Sequence, residues 1–360
     1  WFSKKDQIPK YEYSYNYQNW YPSVEYETMN TRKNIGLFDL TPFAKFELKG
    51  QQSHSELQRI CTANIKDEKG RTTYTQMLNE DGGIESDITV VCLEKNHFRI
   101  ISSAAVRIRD KHHILKHLDS KVEFKDVTED YACLGLFGPK SRILITELAG
   151  DHFKTESFPF ATGKDIKIEG SKIWAQRLSY VGELGWELYI PVNESKKIYN
   201  KIVEIGKKYQ LCHAGVHAMD TLRMEKGYLH WGHDISPEEN QYEAGLNFAI
   251  SYKKNVNFIG KDALENIKNK KVKKKIVMLS LKESKPGFPL LLHDEPIYCN
   301  NKIIGRTTSG NYSFNYKKNI AFAYLNVLEK LDTMNLEIEV EKKKYKKKLE
   351  DKSLHDPDSK

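Results

Sequence analysis

Beyond a lysine-rich stretch, Asn269-Lys270-Lys271-Val272-Lys273-Lys274-Lys275, the chain breaks into short β-prone runs separated by turns: Ile276–Leu281, Glu295–Tyr298, Ile303–Thr308, Ile320–Leu325 and Leu336–Val340. So many short strands close most naturally into a small β-barrel, which leaves no open edge. The pattern predicts a C-terminal β-barrel domain over residues 276–350, with the lysine-rich stretch as the linker before it and residues 351–360 as a tail.

Upstream, strands and helices intermix. Ala44–Leu48 alternates as a half-buried strand, Ser53–Ile60 puts Leu57 and Ile60 on one helix face, and further strands fall at Tyr74–Leu78, Ile84–Leu93 and His97–Ser102. Ala105–Leu118, Pro139–Leu148 and Glu194–Tyr209 read as helices; in the last, Ile198, Tyr199, Ile202 and Ile205 keep helical spacing. There is no strict βαβ rhythm and no GxGxxG, so the fold class is α+β and no intrinsic dinucleotide-binding domain is expected. Residues 1–30 carry Trp1, Phe2, Tyr11, Tyr13, Tyr15, Tyr17, Trp20 and Tyr21 with little periodicity, a segment expected to pack on another element.

At 360 residues the chain suits two or three domains, and 39% hydrophobic residues argue against global disorder. No apolar stretch approaches the length that crosses a bilayer, so no membrane partner is expected. Cys61, Cys92, Cys133, Cys212 and Cys299 are scattered without a CxxC pair and read as reduced core thiols of a cytoplasmic or mitochondrial-matrix compartment. The formal charge of +8 gathers in the lysine-rich linker and in Glu341–Lys348. No recognition-helix, RNP or zinc-finger signature accompanies these runs, so a nucleic-acid partner is not expected, whereas a polyanionic small molecule would suit the charge.

Two acid-bearing motifs carry the chemistry: Gly82-Gly83-Ile84-Glu85-Ser86-Asp87-Ile88-Thr89-Val90 and Tyr180-Val181-Gly182-Glu183-Leu184-Gly185-Trp186-Glu187-Leu188-Tyr189. Asp87 and Glu187 each sit in an apolar β-prone run, where an ionised side chain is costly unless something polar pairs with it. Taken alone, each motif also reads as a tight turn with a solvated acid, Glu183 included.

Further motifs follow in a fixed order: Gly36-Leu37-Phe38-Asp39-Leu40, Leu136-Phe137-Gly138-Pro139-Lys140, Phe158-Pro159-Phe160, Asp220-Thr221-Leu222-Arg223-Met224-Glu225-Lys226-Gly227, Trp231-Gly232-His233-Asp234-Ile235, Glu243-Ala244-Gly245-Leu246, Phe258-Ile259-Gly260-Lys261 and Gly305-Arg306-Thr307-Thr308-Ser309-Gly310. From about Gly36 to Asp356 the series resembles the folate-dependent aminomethyltransferase family, the T-protein of the glycine cleavage system and its relatives. Asn19-Trp20-Tyr21, Tyr74-Thr75-Gln76-Met77-Leu78-Asn79-Glu80 and His230–Pro237 look most like the C-terminal, tetrahydrofolate-binding half of dimethylglycine and sarcosine dehydrogenases.

The resemblance implies a three-domain ring around a folate pocket, with residues 31–268 as two intertwined α+β domains and the barrel last. It implies one-carbon transfer to tetrahydrofolate, with polyglutamylated folate suiting the basic charge. FAD would belong to a missing or separate amine-oxidising flavoprotein domain or subunit, of which residues 1–30 would be the continuation. Asp87 falls on the catalytic aspartate. Glu187 is expected to receive the donor edge of the pterin, with Tyr180 near the ring, and Ile101, Ser103, Phe160 and Phe248 to line the pocket. Arg223 either meets a folate carboxylate or holds its helix in a salt bridge. His230, His233 and Asp234 are read as a hydrogen-bonded turn, with no metal site expected. Departures are Ser86 where T-proteins often have a second aspartate, Phe248 where they carry Trp, and Met219 where they carry Arg. The alternatives implied are a stand-alone glycine-cleavage aminomethyltransferase and a folate-binding assembly module; the latter relatives have a Cys after Lys226-Gly227, where this chain has Tyr228.

Overall fold

The computed structural model describes residues 1–3, 7–119, 121–150, 153–326 and 335–358. Residues 4–6 of the predicted lead-in and 359–360 of the predicted tail lie outside these. The chain begins with α1 (Tyr21–Lys33), β1 (Ile35–Asp39), β2 (Ala44–Lys49), α2 (Ser53–Ile60), β3 (Thr72–Leu78), β4 (Ile84–Glu94) and β5 (His97–Ser102). It continues through α3 (Arg107–His117), β6 (Glu123–Asp126), β7 (Tyr131–Phe137), α4 (Ser141–Ala149), β8 (Gly163–Ile168), β9 (Ser171–Gln176) and β10 (Gly185–Pro191). Next come α5 (Ser195–Gly206), β11 (Leu211–Ala214), α6 (Val216–Lys226), α7 (Lys261–Lys268), β12 (Lys274–Leu281) and β13 (Pro296–Cys299). The last strands are β14 (Lys302–Ser313), β15 (Lys318–Asn326), β16 (Leu336–Val340) and β17 (Lys343–Glu350).

Three sheets result. One has the order β11-β1-β7-β10-β9-β8, a second β3-β4-β5-β2-β6, and β12-β15-β14-β13-β16-β17 closes into a barrel, as the short runs predicted. Strand alternation decides what lies between the first two sheets. On β10, Trp186, Leu188 and Ile190 point into a core with Ile198 and Ile202 of α5, so Glu187 and Tyr189 face the other way. On β4, Ile88 and Val90 join a core with Leu57 of α2 and Ile114 of α3, which leaves Asp87 and Thr89 on the opposite face with Val91. That face packs on the inner face of the six-stranded sheet: Val91 and Ile101 lie in one cluster with Phe38, Cys133, Phe137 and Tyr189. Both acids singled out in the sequence therefore point into the space between two sheets.

The barrel is held to this body by hydroxyls that donate to the acids of two buried ion pairs. Glu225 accepts Arg32 Nη2 at 2.8 Å on one oxygen and the Ser313 hydroxyl at 2.6 Å on the other. Arg223 reaches Asp234 at 2.6 Å, and Asp234 takes the Thr308 and Ser309 hydroxyls at 2.6 and 2.8 Å. Trp20 and Tyr21 of the lead-in pack on Tyr312 and Phe314 of the barrel, which gives the aromatic segment its expected partner.

Several elements are absent from the sequence reading, among them β6, β8, β9, β11 and α7, and two show why. α1 lies where little periodicity is visible because its inward face is polar: Glu27, Thr28, Asn30 and Thr31 are all buried. They are satisfied individually, Glu27 by the Gly215 N–H at 2.9 Å and Asn30 by the Gln210 carbonyl at 2.8 Å. β7, absent from the predicted strands, is buried on both faces from Ala132 to Phe137 and so has no alternation to read.

Candidate active site

Asp87 stands opposite Gln76 in the β3/β4 ladder. The hairpin that joins these strands turns at Gly82, whose φ of +85° favours glycine. Gln76 is fully buried; its Nε2 donates to Asp87 Oδ1 at 2.7 Å while its Oε1 accepts Gln241 Nε2 at 2.5 Å. Gln241 also donates to Thr62 Oγ1 at 3.1 Å, so a relay of buried amides fixes which end of Gln76 faces the acid. The nearby Tyr74 phenol also favours the ionised form of Asp87. Burial pushes the Asp87 carboxyl up to about 6, with nearby Asp110 adding to the rise and Gln76 and Tyr74 opposing it. Asp110 is itself fully buried beneath β4, held by the Ser86 hydroxyl at 2.7 Å and by that of Ser102.

Burial and the Asp87 charge push the Tyr74 phenol well up, so it remains a proton donor. Its ring stacks on Phe248, with centroids 6.2 Å apart and planes 22° apart. The pair edges a recess of about 340 Å³, lined also by Ala63, Asn64, Thr73 and Ser251. Ile101 lies in the same cross-strand row, opposite Thr89 on β4 and Lys45 on β2. Ser103, part-buried, follows at the end of that strand.

On the other sheet, Glu187 faces Gly135 of β7 and Gln176 of β9. Its Oε2 accepts the Tyr189 hydroxyl at 2.7 Å, and burial raises its pKa against that bond. Tyr180 anchors its hydroxyl on the Leu229 carbonyl at 2.6 Å and stacks on Tyr228 at 6.0 Å. Burial pushes its phenol up, with the Arg223 charge opposing the rise and the charges of Asp234, Asp87 and Asp220 adding to it.

The predicted residues separate accordingly. Asp87, Tyr180, Ile101 and Phe248 are linked through Tyr74, Thr89 and the recess, and Glu187 faces Asp87's side of the interface from the opposite sheet. Phe160, 65% exposed, stands at the outer rim, where the next carbonyl, of Ala161, accepts the Thr72 N–H. Arg223 takes the salt-bridge role of its two readings. It is 1% exposed, and its donors go to Asp220, Asp234, the Tyr228 carbonyl and Ser309. None of its five N–H groups is left over for a ligand carboxylate. Glu183 is likewise bound, to Arg32 at 3.0 Å and His355 at 2.9 Å. Asp234 holds its turn through the His230 N–H at 2.9 Å, and among the described residues no group of three His, Cys, Asp or Glu is placed to hold a metal.

Sequence reasoning missed Gln76, Gln241 and Tyr189. Gln76 lies in a motif already singled out, but pairing it with Asp87 requires knowing the bulge between Met77 and Leu78, which shifts the register by one.

As a chemical device, the site presents one carboxylate poised near neutrality, held by the Gln76 amide and favoured by Tyr74, and a second with lone pairs free for a donor edge. The matching family models are the GCVT N-terminal domain over residues 2–254 and the glycine cleavage T-protein C-terminal barrel domain over residues 274–356. The 4-methylaminobutanoate oxidase (formaldehyde-forming) of Paenarthrobacter nicotinovorans is 33% identical over 99% of this chain, and the mitochondrial dimethylglycine dehydrogenase of Rattus norvegicus is 33% identical over 95%. The chain spans only 43% and 39% of those two proteins. The crystal structure of the glycine cleavage system aminomethyltransferase T from Bartonella henselae shares the fold, with a TM-score of 0.84 at 20% identity, covering 97% of this chain and 94% of that one. The chain belongs to the glycine cleavage T-protein family, whose members are folate-dependent aminomethyltransferase-like enzymes.

Proposed function

We propose that this chain is the tetrahydrofolate-binding, one-carbon-accepting part of an N-demethylating dehydrogenase of the dimethylglycine or sarcosine type. The observation that carries this reading is the pair of acids, Asp87 and Glu187, that two facing sheets turn into the space between them, with Tyr74 on the strand beside Asp87 edging an open recess. The donor set fits a reduced pterin. Glu187 is part-buried with one hydrogen bond from Tyr189, and a donor edge of two N–H groups would satisfy its remaining lone pairs. Tyr180, Tyr74 and Phe248 offer flat faces for the ring system, and Ile101, Ser103 and Phe160 are further proposed contacts.

Bound tetrahydrofolate supplies two amine nitrogens, N5 and N10, that together hold a one-carbon unit as 5,10-methylenetetrahydrofolate. Asp87, at about 6, is largely ionised at neutral pH and is still basic enough to take up a proton. Its negative charge also stabilises positive charge developing on an incoming methylene iminium, a role that Gln76 supports by holding it in place. No residue is assigned to FAD; amine oxidation belongs to a flavoprotein domain or subunit acting before this site.

The test supplies the chain with tetrahydrofolate and an amine-oxidising flavoprotein acting on dimethylglycine, and separates methylenetetrahydrofolate from free formaldehyde. Capture of the one-carbon unit by the wild-type chain, lost in Asp87→Asn, is expected. Oxidation of dimethylglycine by the chain alone, without flavin, would contradict the reading. Ammonia release from an aminomethyl-lipoyl carrier would instead favour a glycine-cleavage aminomethyltransferase, the reading closest to the family's own name.

A further inference from the structure

The sheet face that carries Glu187 also carries Tyr189 two residues on, with Cys133 and Tyr131 beside it through the β7/β10 register. Tyr189 is 1% exposed, and its hydroxyl gives Glu187 its one side-chain hydrogen bond among the described residues, at 2.7 Å. Over the phenol lies a cation from the opposite sheet. The Arg99 guanidinium of β5 stands 5.4 Å from the Tyr189 ring centroid and 4.4 Å from that of Tyr131. Arg99 is in turn gripped by Glu47 of β2, through Nε at 3.0 Å and Nη2 at 2.6 Å, and His97 adds a contact to the same carboxylate at 2.8 Å. An ion pair on one sheet thus seats a phenol on the other, and the phenol seats the carboxylate of the site. A cation over the ring face polarises the phenol and strengthens its O–H as a donor.

We infer that Tyr189 is a positioning residue for the ligand-binding carboxylate, and that the Arg99–Glu47 pair supports it from across the sheet interface. The inference rests on the folate reading of Glu187. The other titratable groups facing Glu187 do not replace the phenol, and the Gln176 amide opposite it on β9 makes no hydrogen bond to it. Cys133 on β7 is held neutral by burial and by the Glu187 charge itself. Lys45 on β2 spends its ammonium on the carbonyls of Thr41 and Phe43 at 2.9 and 2.8 Å. Burial raises the Glu187 carboxyl and the Tyr189 hydroxyl pulls it down, so deleting that hydroxyl lets it rise. A protonated carboxyl no longer accepts two N–H groups. The loss is therefore greatest at the acid end and is repaired as pH rises.

The test is anaerobic titration of the wild-type chain, Tyr189→Phe, Arg99→Lys and Glu187→Gln with tetrahydrofolate between about pH 6 and about pH 9, with melting curves to establish folding. Tyr189→Phe is expected to bind about tenfold more weakly at the acid end, the scale of one charge-assisted hydrogen bond, and to approach wild type at the alkaline end. Arg99→Lys should shift the same way by less, and it carries the test if the Phe variant fails to fold. Glu187→Gln should bind poorly at every pH. A Tyr189→Phe profile equal to wild type, or lowered by one factor across the whole range, would overturn the inference alone. Glu187→Gln binding like wild type would overturn the reading of Glu187 and the inference with it.

Discussion

Arg223→Met separates the two roles that the sequence left open for this arginine. The side chain is 1% exposed and its strongest partner, Asp234, is fully buried. Asp220 matters less to the cost, since its side chain is 37% exposed and water takes over much of the arginine's part. Asp234 keeps the His230 N–H and the Thr308 and Ser309 hydroxyls but loses its only charged partner among the described residues. Breaking a buried pair costs about 3–5 kcal/mol, and those three surviving donors place this case near the lower end, about 3 kcal/mol. A chain of 360 residues unfolding as one unit loses stability at about 0.75 kcal/mol per degree, so the melting midpoint should fall by about 4 °C. Because Thr308 and Ser309 belong to β14, a barrel that detaches first would give a separate early transition in calorimetry. Below that transition, tetrahydrofolate affinity should stay within about twofold of wild type, since no guanidinium donor is left over for a ligand. An unchanged midpoint together with a loss of affinity of about tenfold or more would refute the structural role and make Arg223 a ligand residue.

Two further outcomes follow from the geometry. Gln76→Met removes the amide donor that holds the Asp87 charge; the carboxyl should then rise above about 6, by about one unit or more. Since the ionised form acts, the acid limb of a single-turnover transfer profile should move to higher pH with the alkaline plateau unchanged, and an unmoved limb would rule out control by this bond. Phe248→Ala deletes a ring that is 72% exposed; the melting midpoint should hold while tetrahydrofolate binding weakens about threefold to tenfold through lost stacking on the Tyr74 side of the recess. Equal affinity in a titration would remove Phe248 from the site.

The barrel was legible because its β-prone runs are separated by turns, a pattern that does not depend on any side-chain contact. Helix α1 was not, because it is buried through Glu27, Asn30 and Thr31, whose partners come from distant parts of the chain such as Gly215 and Gln210. Asp87 and Glu187 stood out as acids in apolar strands, and alternation against the two helix-covered cores is what turns them toward one another. Their supports were hidden for a different reason. Gln241 reaches Gln76 over 165 positions, and Arg99 meets Tyr189 only once two sheets have packed. Such long-range polar pairs leave no periodicity in the sequence. Arg223 shows the converse: its motif was visible, but only the saturation of its donors distinguishes a clamp from a ligand contact.

The most direct measurement is an anaerobic calorimetric titration of the wild-type chain, Glu187→Gln and Asp87→Asn with tetrahydrofolate, followed by single-turnover transfer on the same samples. Wild-type binding in the micromolar range, lost in Glu187→Gln but kept in Asp87→Asn with transfer abolished, is the expected result. Absence of binding in all three, or unimpaired binding by Glu187→Gln, would contradict the assignment of the space between the two sheets as the folate site.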